Sequence, residues 1–154
     1  MVTKPGDEPR TEAFRERRRA REAALQMLYQ CEVGRVRPED AIATHGEIEQ
    51  AGRLSSPEGE AFAADLVLGT VEHAGEIDPV IAASASHWRP ERMAVIDRLI
   101  LRMSVYQLQH VPDVPPNVVV SEAVELARRF GGDDSSRFVN GVLDAIKKRI
   151  RNEE

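Results

Sequence analysis

Five arginines fall within residues 15–21: Arg15, Arg17, Arg18, Arg19 and Arg21, broken by Glu16 and followed by Glu22. A guanidinium is planar, always charged, and suited to bidentate contact with phosphate and to stacking on bases. On a helix these side chains cover most of the circumference, so they cannot all face a core. They could clamp an RNA or DNA backbone; a solvated helix end is the competing reading. A second candidate is Arg137 beside Phe138. Phe138 stands about a hundred degrees from the stripe through Val139, Val142, Leu143 and Ile146, so it reads as partly exposed. An exposed aromatic next to arginine can stack an unpaired base, whereas a buried one fills a core gap. Lys147, Lys148, Arg149 and Arg151 read as complements to a helix C-terminus.

A search for catalytic groups finds none. His45, His73, His87 and His110 are scattered and none has a histidine partner at helical i, i+4 spacing; single glutamates at that spacing follow His45 and His87 only, so no metal is expected. No GxSxG, phosphate-cradling glycine loop or dinucleotide fingerprint is present. Asp133 and Asp134 read as helix caps. Cys31 lies on an apolar stripe and reads as an inert core residue; as a lone cysteine it excludes an intrachain disulfide framework. The expectation is a binding protein without cofactor or small-molecule substrate.

Helices must position these groups. Residues 1–10 hold two prolines, a glycine and four charges and are expected to be a disordered lead, with a helical domain over 11–152. Ala20, Ala24, Leu28 and Cys31, with Leu25 alongside, mark a first helix that Gly34 ends. Pro38 with Glu39 and Asp40 opens a second. Ser55 and Glu58 have capping-box spacing before a third, with Phe62, Leu66, Gly69 and His73 on one face. Asp78-Pro79 reads as an N-cap and first helical residue, and Pro90 opens a longer helix carrying Met93, Ile96, Leu99, Ile100 and Met103 inward. Three prolines in residues 111–116 break the chain. A helix over about 117–130 carries Val120, Ala123, Val124 and Ala127; Gly131 and Gly132 follow, and the last helix starts near Asp134 or Ser135. Asn140-Gly141 invites a hairpin, but helical spacing on both sides favours a continuous helix at a cost of ~1 kcal/mol, and suggests close packing at Gly141. The expected fold is all-α: a single compact domain of about seven helices.

The 154 residues suit one domain, and 42% hydrophobic content suffices for a core. No stretch approaches the roughly 20 apolar residues of a membrane span. The N-terminus lacks the apolar region of a secretory signal, so a cytoplasmic protein is expected. The net charge of −5 hides a polarity. Residues 1–37 carry nine basic and six acidic side chains, residues 38–127 five and fifteen, and residues 128–154 seven and five. Basic ends fit a polyanion, and an acidic middle fits a basic partner protein or a solvated surface.

Three segments together resemble the NusB family of bacterial transcription antitermination factors: RRRAREAALQMLYQCE at 17–32, DRLILRMSVYQL at 97–108 and VPPNVVVSEAVELARRFGGDDSSRFVNGVLDAIKK at 114–148. The resemblance implies an all-helical fold that binds boxA RNA of nascent ribosomal transcripts. It also implies a small-subunit ribosomal protein (NusE) as partner, with other Nus factors and RNA polymerase engaged indirectly. By the same resemblance Arg17, Arg18, Arg19, Arg21 and Tyr29 form one RNA-contacting segment. Asp134, Ser135, Arg137 and Phe138 form a second, and Glu91 and Asp97 face the partner protein. Two other readings stand beside it. One is a helical RNA-binding module like the N-terminal part of some ribosomal RNA cytosine methyltransferases, for which a chain ending at Glu154 leaves no cofactor domain. The other is a scaffold that binds only protein.

Overall fold

In a computed structural model the chain is all-helical; residues 7–48, 56–85 and 93–153 are described. The helices are α1 (Asp7–Val33), α2 (Pro38–Ile48), α3 (Pro57–Glu72), α4 (Ala74–Ser84), α5 (Val95–His110) and α6 (Pro116–Glu153). No strand occurs among the described residues. The chain forms two compact units, and the boundary falls inside α3, between Val67 and Leu68.

In the first unit, the expected stripe of α1 is buried through Ala20, Ala24, Leu25 and Leu28, joined by Ala23 and Met27. Cys31 departs from expectation: it is half-buried rather than core, and desolvation followed by Glu39 pushes its thiol upward. α1 stops at Val33, where the Gly34 amide donates to Gln30 O at 2.9 Å. The left-handed residue that turns the chain is Arg35 (φ 54°), not the glycine. Pro38 opens α2 as expected, with Glu39 and Asp40 in its first turn. Ser55 lies outside the described residues, and the cap of α3 is Ser56: its hydroxyl accepts from the Gly59 amide at 3.0 Å. That hydroxyl and the Ser56 amide also donate to Glu16 Oε1, at 3.0 and 3.1 Å, so α1 holds the start of α3.

In the second unit, α5 packs on both α4 and α6. Leu99, Ile100, Leu101, Met103 and Val105 of α5 are buried, as are Ile77 and Ile81 of α4. Gly69 lies against Tyr106, and a Cβ there would run into the phenol ring. α4 starts at Ala74, earlier than the expected Asp78-Pro79, because the His73 carbonyl already accepts from the Glu76 and Ile77 amides. Pro79 therefore sits inside the helix. Asp78 is no cap; it receives a bidentate pair of hydrogen bonds from Arg102 at 2.7 and 2.8 Å. The expected helix opening at Pro90 lies outside the described residues, and α5 begins at Val95.

Among the described residues there are six helices rather than about seven, because the last two expected helices meet at one residue. Gly132 (φ 88°, ψ −172°) breaks α6, and helical structure resumes at once. The two arms fold back: Lys147 Nζ donates to Asn117 Oδ1 at 3.0 Å, and these residues are equally far from Gly132 along the chain. The first arm buries Val119, Ala123, Leu126 and Ala127 rather than Val120 and Val124; the second buries Val139, Val142, Leu143 and Ile146. The helix is continuous through Asn140-Gly141, but Gly141 is exposed and no described residue comes within 4 Å of where its Cβ would stand, contrary to expectation.

Candidate nucleic-acid interface

The first cluster lies on α1 in the first unit. Arg15, Arg18 and Arg19 are exposed and Arg17 is half-buried. Glu16 sits 3.7 Å from Arg19 Nη1, so an acid tempers the cluster. The Arg17 guanidinium lies 4.5 Å from the Phe62 ring centroid, and that of Arg18 lies 5.4 Å from Phe14. Arg21 is not on the surface. It is 2% exposed, with its guanidinium 5.2 Å from the same Phe62 ring. A groove of about 650 Å³ runs beside Arg15, Arg17 and Arg19, with Ser56, Gly59 and Phe62 on its other wall. A Cβ on Gly59 would collide with Glu16, so the glycine keeps this wall close.

Tyr29 is 43% exposed. It stands eleven positions after Arg18, about three turns, and therefore on the same face of α1. Phe14, 42% exposed, precedes Arg18 by one turn on that face. Leu25, between Arg18 and Tyr29 on that face, is buried, so Phe14 and Arg18 form one exposed aromatic–arginine pair and Tyr29 a separate exposed ring; such groups stack bases and neutralise phosphates. Phe14 was missed from sequence, although its i, i+4 spacing to Arg18 was a usable signal.

The second cluster lies in the second unit, just beyond the break in α6. Met93, Ala94, Asp97, Asp134, Ser135 and Phe138 line a cavity of about 320 Å³. Phe138 is half-buried and Ser135 likewise. Asp134 is fully exposed and lies 3.8 Å from the exposed Arg137. It stands in the first turn of the helix that resumes after the break at Gly132. Asp97 is buried at 8% exposure. Desolvation pushes its carboxyl above the usual aspartate range, against a hydrogen bond from the Ser135 side chain that draws it down. Its Oδ1 finds no hydrogen-bond donor among the described residues. Asp97, expected to face the partner protein, lines the cavity with Asp134, Ser135 and Phe138. Glu91 lies outside the described residues.

Gly131 explains how the cavity forms. A Cβ there would strike the Ser135 side chain, so a glycine lets Ser135 turn toward Asp97. The Ser136 hydroxyl donates to Asp133 O at 2.8 Å and secures the turn that follows the break.

Fold and site together define a small all-helical protein whose chemistry-bearing residues are arginines, aromatics and a buried carboxylate. The NusB family model matches residues 18–148, and the chain belongs to that family. It is similar to transcription antitermination protein NusB of Symbiobacterium thermophilum, 47% identical over 139 residues that cover 88% of this chain and 91% of that one. Among solved structures it is similar to T. maritima NusB, with a TM-score of 0.75 and 34% identity over 86% of this chain and 90% of that one. It is also similar to a chain in a crystal structure of antitermination factors NusB and NusE in complex with dsRNA. There the TM-score is 0.76 and the identity 28%, over 88% of this chain and 98% of that one.

Proposed function

We propose that the protein is a cytoplasmic transcription antitermination factor. It binds boxA-type RNA in nascent ribosomal RNA transcripts together with the ribosomal protein NusE, and helps RNA polymerase read through termination. The family match over residues 18–148 carries this reading. The chemistry of both clusters supports it. Arg15, Arg17, Arg18 and Arg19 neutralise phosphates, while Phe14 and Tyr29 offer faces to bases. Arg21 acts from inside, holding Phe62 against the groove. In the second unit Phe138 stacks an unpaired base, and Asp97 Oδ1 accepts from a base amino group. Ser135 orients that carboxylate, Asp134 accepts at the rim, and Arg137 meets the backbone. Glu91 faces the basic partner. The protein acts by binding, with no catalytic step of its own.

The test is fluorescence anisotropy with a boxA-containing RNA and a scrambled control, with and without NusE. The expected result is tighter binding of the boxA RNA, strengthened by NusE. Equal affinity for both RNAs in the presence of NusE would overturn the reading.

A further inference from the structure

We propose that His73, Glu76 and His110 form a surface site for a divalent transition-metal ion of the zinc class. The two imidazoles stack with centroids 4.0 Å apart and planes at 24°. His73 Nδ1 lies 3.4 Å from Glu76 Oε2. One ligand atom from each of the three residues lies within 4.8 Å of the other two. Glu76 and His110 are exposed and His73 is half-buried, so an ion reaches the cluster from solvent.

The fold brings these ligands together for a reason that sequence spacing hides. Gly69 and Tyr106 are in contact, and His73 and His110 follow them by one helical turn each. The absent Cβ at Gly69 lets the end of α3 close on α5, and the two histidines meet one turn further on. Glu76 joins from the first turn of α4, three residues after His73. The Tyr106 ring, 5.8 Å from His73 and 5.4 Å from His110, backs the pair.

Two imidazoles and a carboxylate favour zinc, nickel or copper over magnesium or calcium, which prefer all-oxygen ligands. Zinc bonds of about 2.0–2.1 Å in tetrahedral geometry require ligand atoms about 3.3 Å apart; His73 and Glu76 already stand at 3.4 Å, and the exposed His110 ring must turn out of its stack to bring a nitrogen to the same ion. Water completes the fourth position. The ion would tie the α3–α4 corner to the last residue of α5, stabilising the folded state by mass action.

The experiment is calorimetric titration of the untagged full chain with zinc chloride, with cobalt(II) visible absorption as a geometric readout. One ion per chain should bind in roughly the micromolar range, with a tetrahedral cobalt spectrum. His73→Ala and His110→Ala should each weaken binding about tenfold or more, and Glu76→Gln should weaken it measurably. Circular dichroism checks the fold; should His73→Ala unfold, the exposed positions Glu76 and His110 carry the test alone. Zinc affinity unchanged in Glu76→Gln and His110→Ala, or no binding below about 1 mM, would overturn the proposal.

Discussion

The guanidinium of Arg21 lies 5.2 Å from the Phe62 ring centroid while Arg18, one turn earlier, lies over the exposed Phe14. Two arginines of one cluster thus have different work. Arg18→Glu should leave stability within about 0.5 kcal/mol of the parent, because it changes an exposed side chain. It should weaken RNA binding and flatten the logarithmic salt dependence by about 0.7 per lost contact on single-stranded RNA. Arg21→Glu should instead lower the melting temperature, since a buried carboxylate then faces the negative face of Phe62; the cost should be about 3 kcal/mol or more. Thermal melts and salt-dependent anisotropy on both variants check this. An unchanged melting temperature for Arg21→Glu would refute the buried role.

Gly69→Ala separates helix propensity from packing. In an open helix the change would stabilise by about 1 kcal/mol. Against the Tyr106 ring it should destabilise by about 1–3 kcal/mol, the usual range for an overpacked core. Combining it with Tyr106→Ala should recover part of that loss, a positive coupling that denaturant melts of the four proteins measure. A stabilised Gly69→Ala single variant would contradict the contact.

Much of this fold was legible because apolar residues recur at helical spacing. Ala20, Ala24 and Leu28 are buried as their pattern implied, and Val139, Val142, Leu143 and Ile146 kept Asn140-Gly141 helical despite a local turn signal. What stayed hidden depends on partners distant in sequence. Arginine is ordinarily a surface residue, and packing that includes Phe62, supplied by another helix, makes Arg21 a core one. Asp78 looked like a cap because it precedes proline, but a bidentate pair to Arg102 in α5 outweighs that local preference. The same limit applied to the sites. Arg18 and Phe138 could be singled out locally and Tyr29 through the family resemblance, whereas the meeting of Asp97 with Ser135, and of His73 with His110, required the packing of whole helices.

Asp97 gives stability a defined pH dependence. Burial raises its carboxyl in the folded protein above the unfolded value, so the folded state binds a proton more readily. That contribution is fully present below the unfolded pKa of about 3.9 and is lost as pH rises through the folded value. Asp97→Asn keeps an acceptor for Ser135 and removes the buried charge. The variant's melting temperature relative to the parent should therefore rise between about pH 4 and about pH 7. A difference that stays flat or falls over this interval would show that the carboxylate is not buried at a cost. In RNA binding the same variant should lose preference among bases rather than salt dependence, because the contact proposed for Asp97 is to a base and not to a phosphate.

Phe138 links the fold and the proposed function most directly. Its neighbour Val139 is fully buried, whereas Phe138 is half-buried on the wall of the cavity that Asp97 and Ser135 share. A fully enclosed phenylalanine would cost about 3–5 kcal/mol on truncation to alanine, so Phe138→Ala should cost clearly less. If the ring stacks an unpaired base, the same change should remove about 1–3 kcal/mol of RNA binding. Phe138→Leu keeps most of the apolar volume but loses the flat face, so it should restore stability without restoring affinity. Melting temperature and boxA-RNA affinity measured on the same samples decide the matter. A large melting loss in Phe138→Ala, together with parental RNA affinity in Phe138→Leu, would make the ring a piece of the core and leave the cavity without its stacking surface.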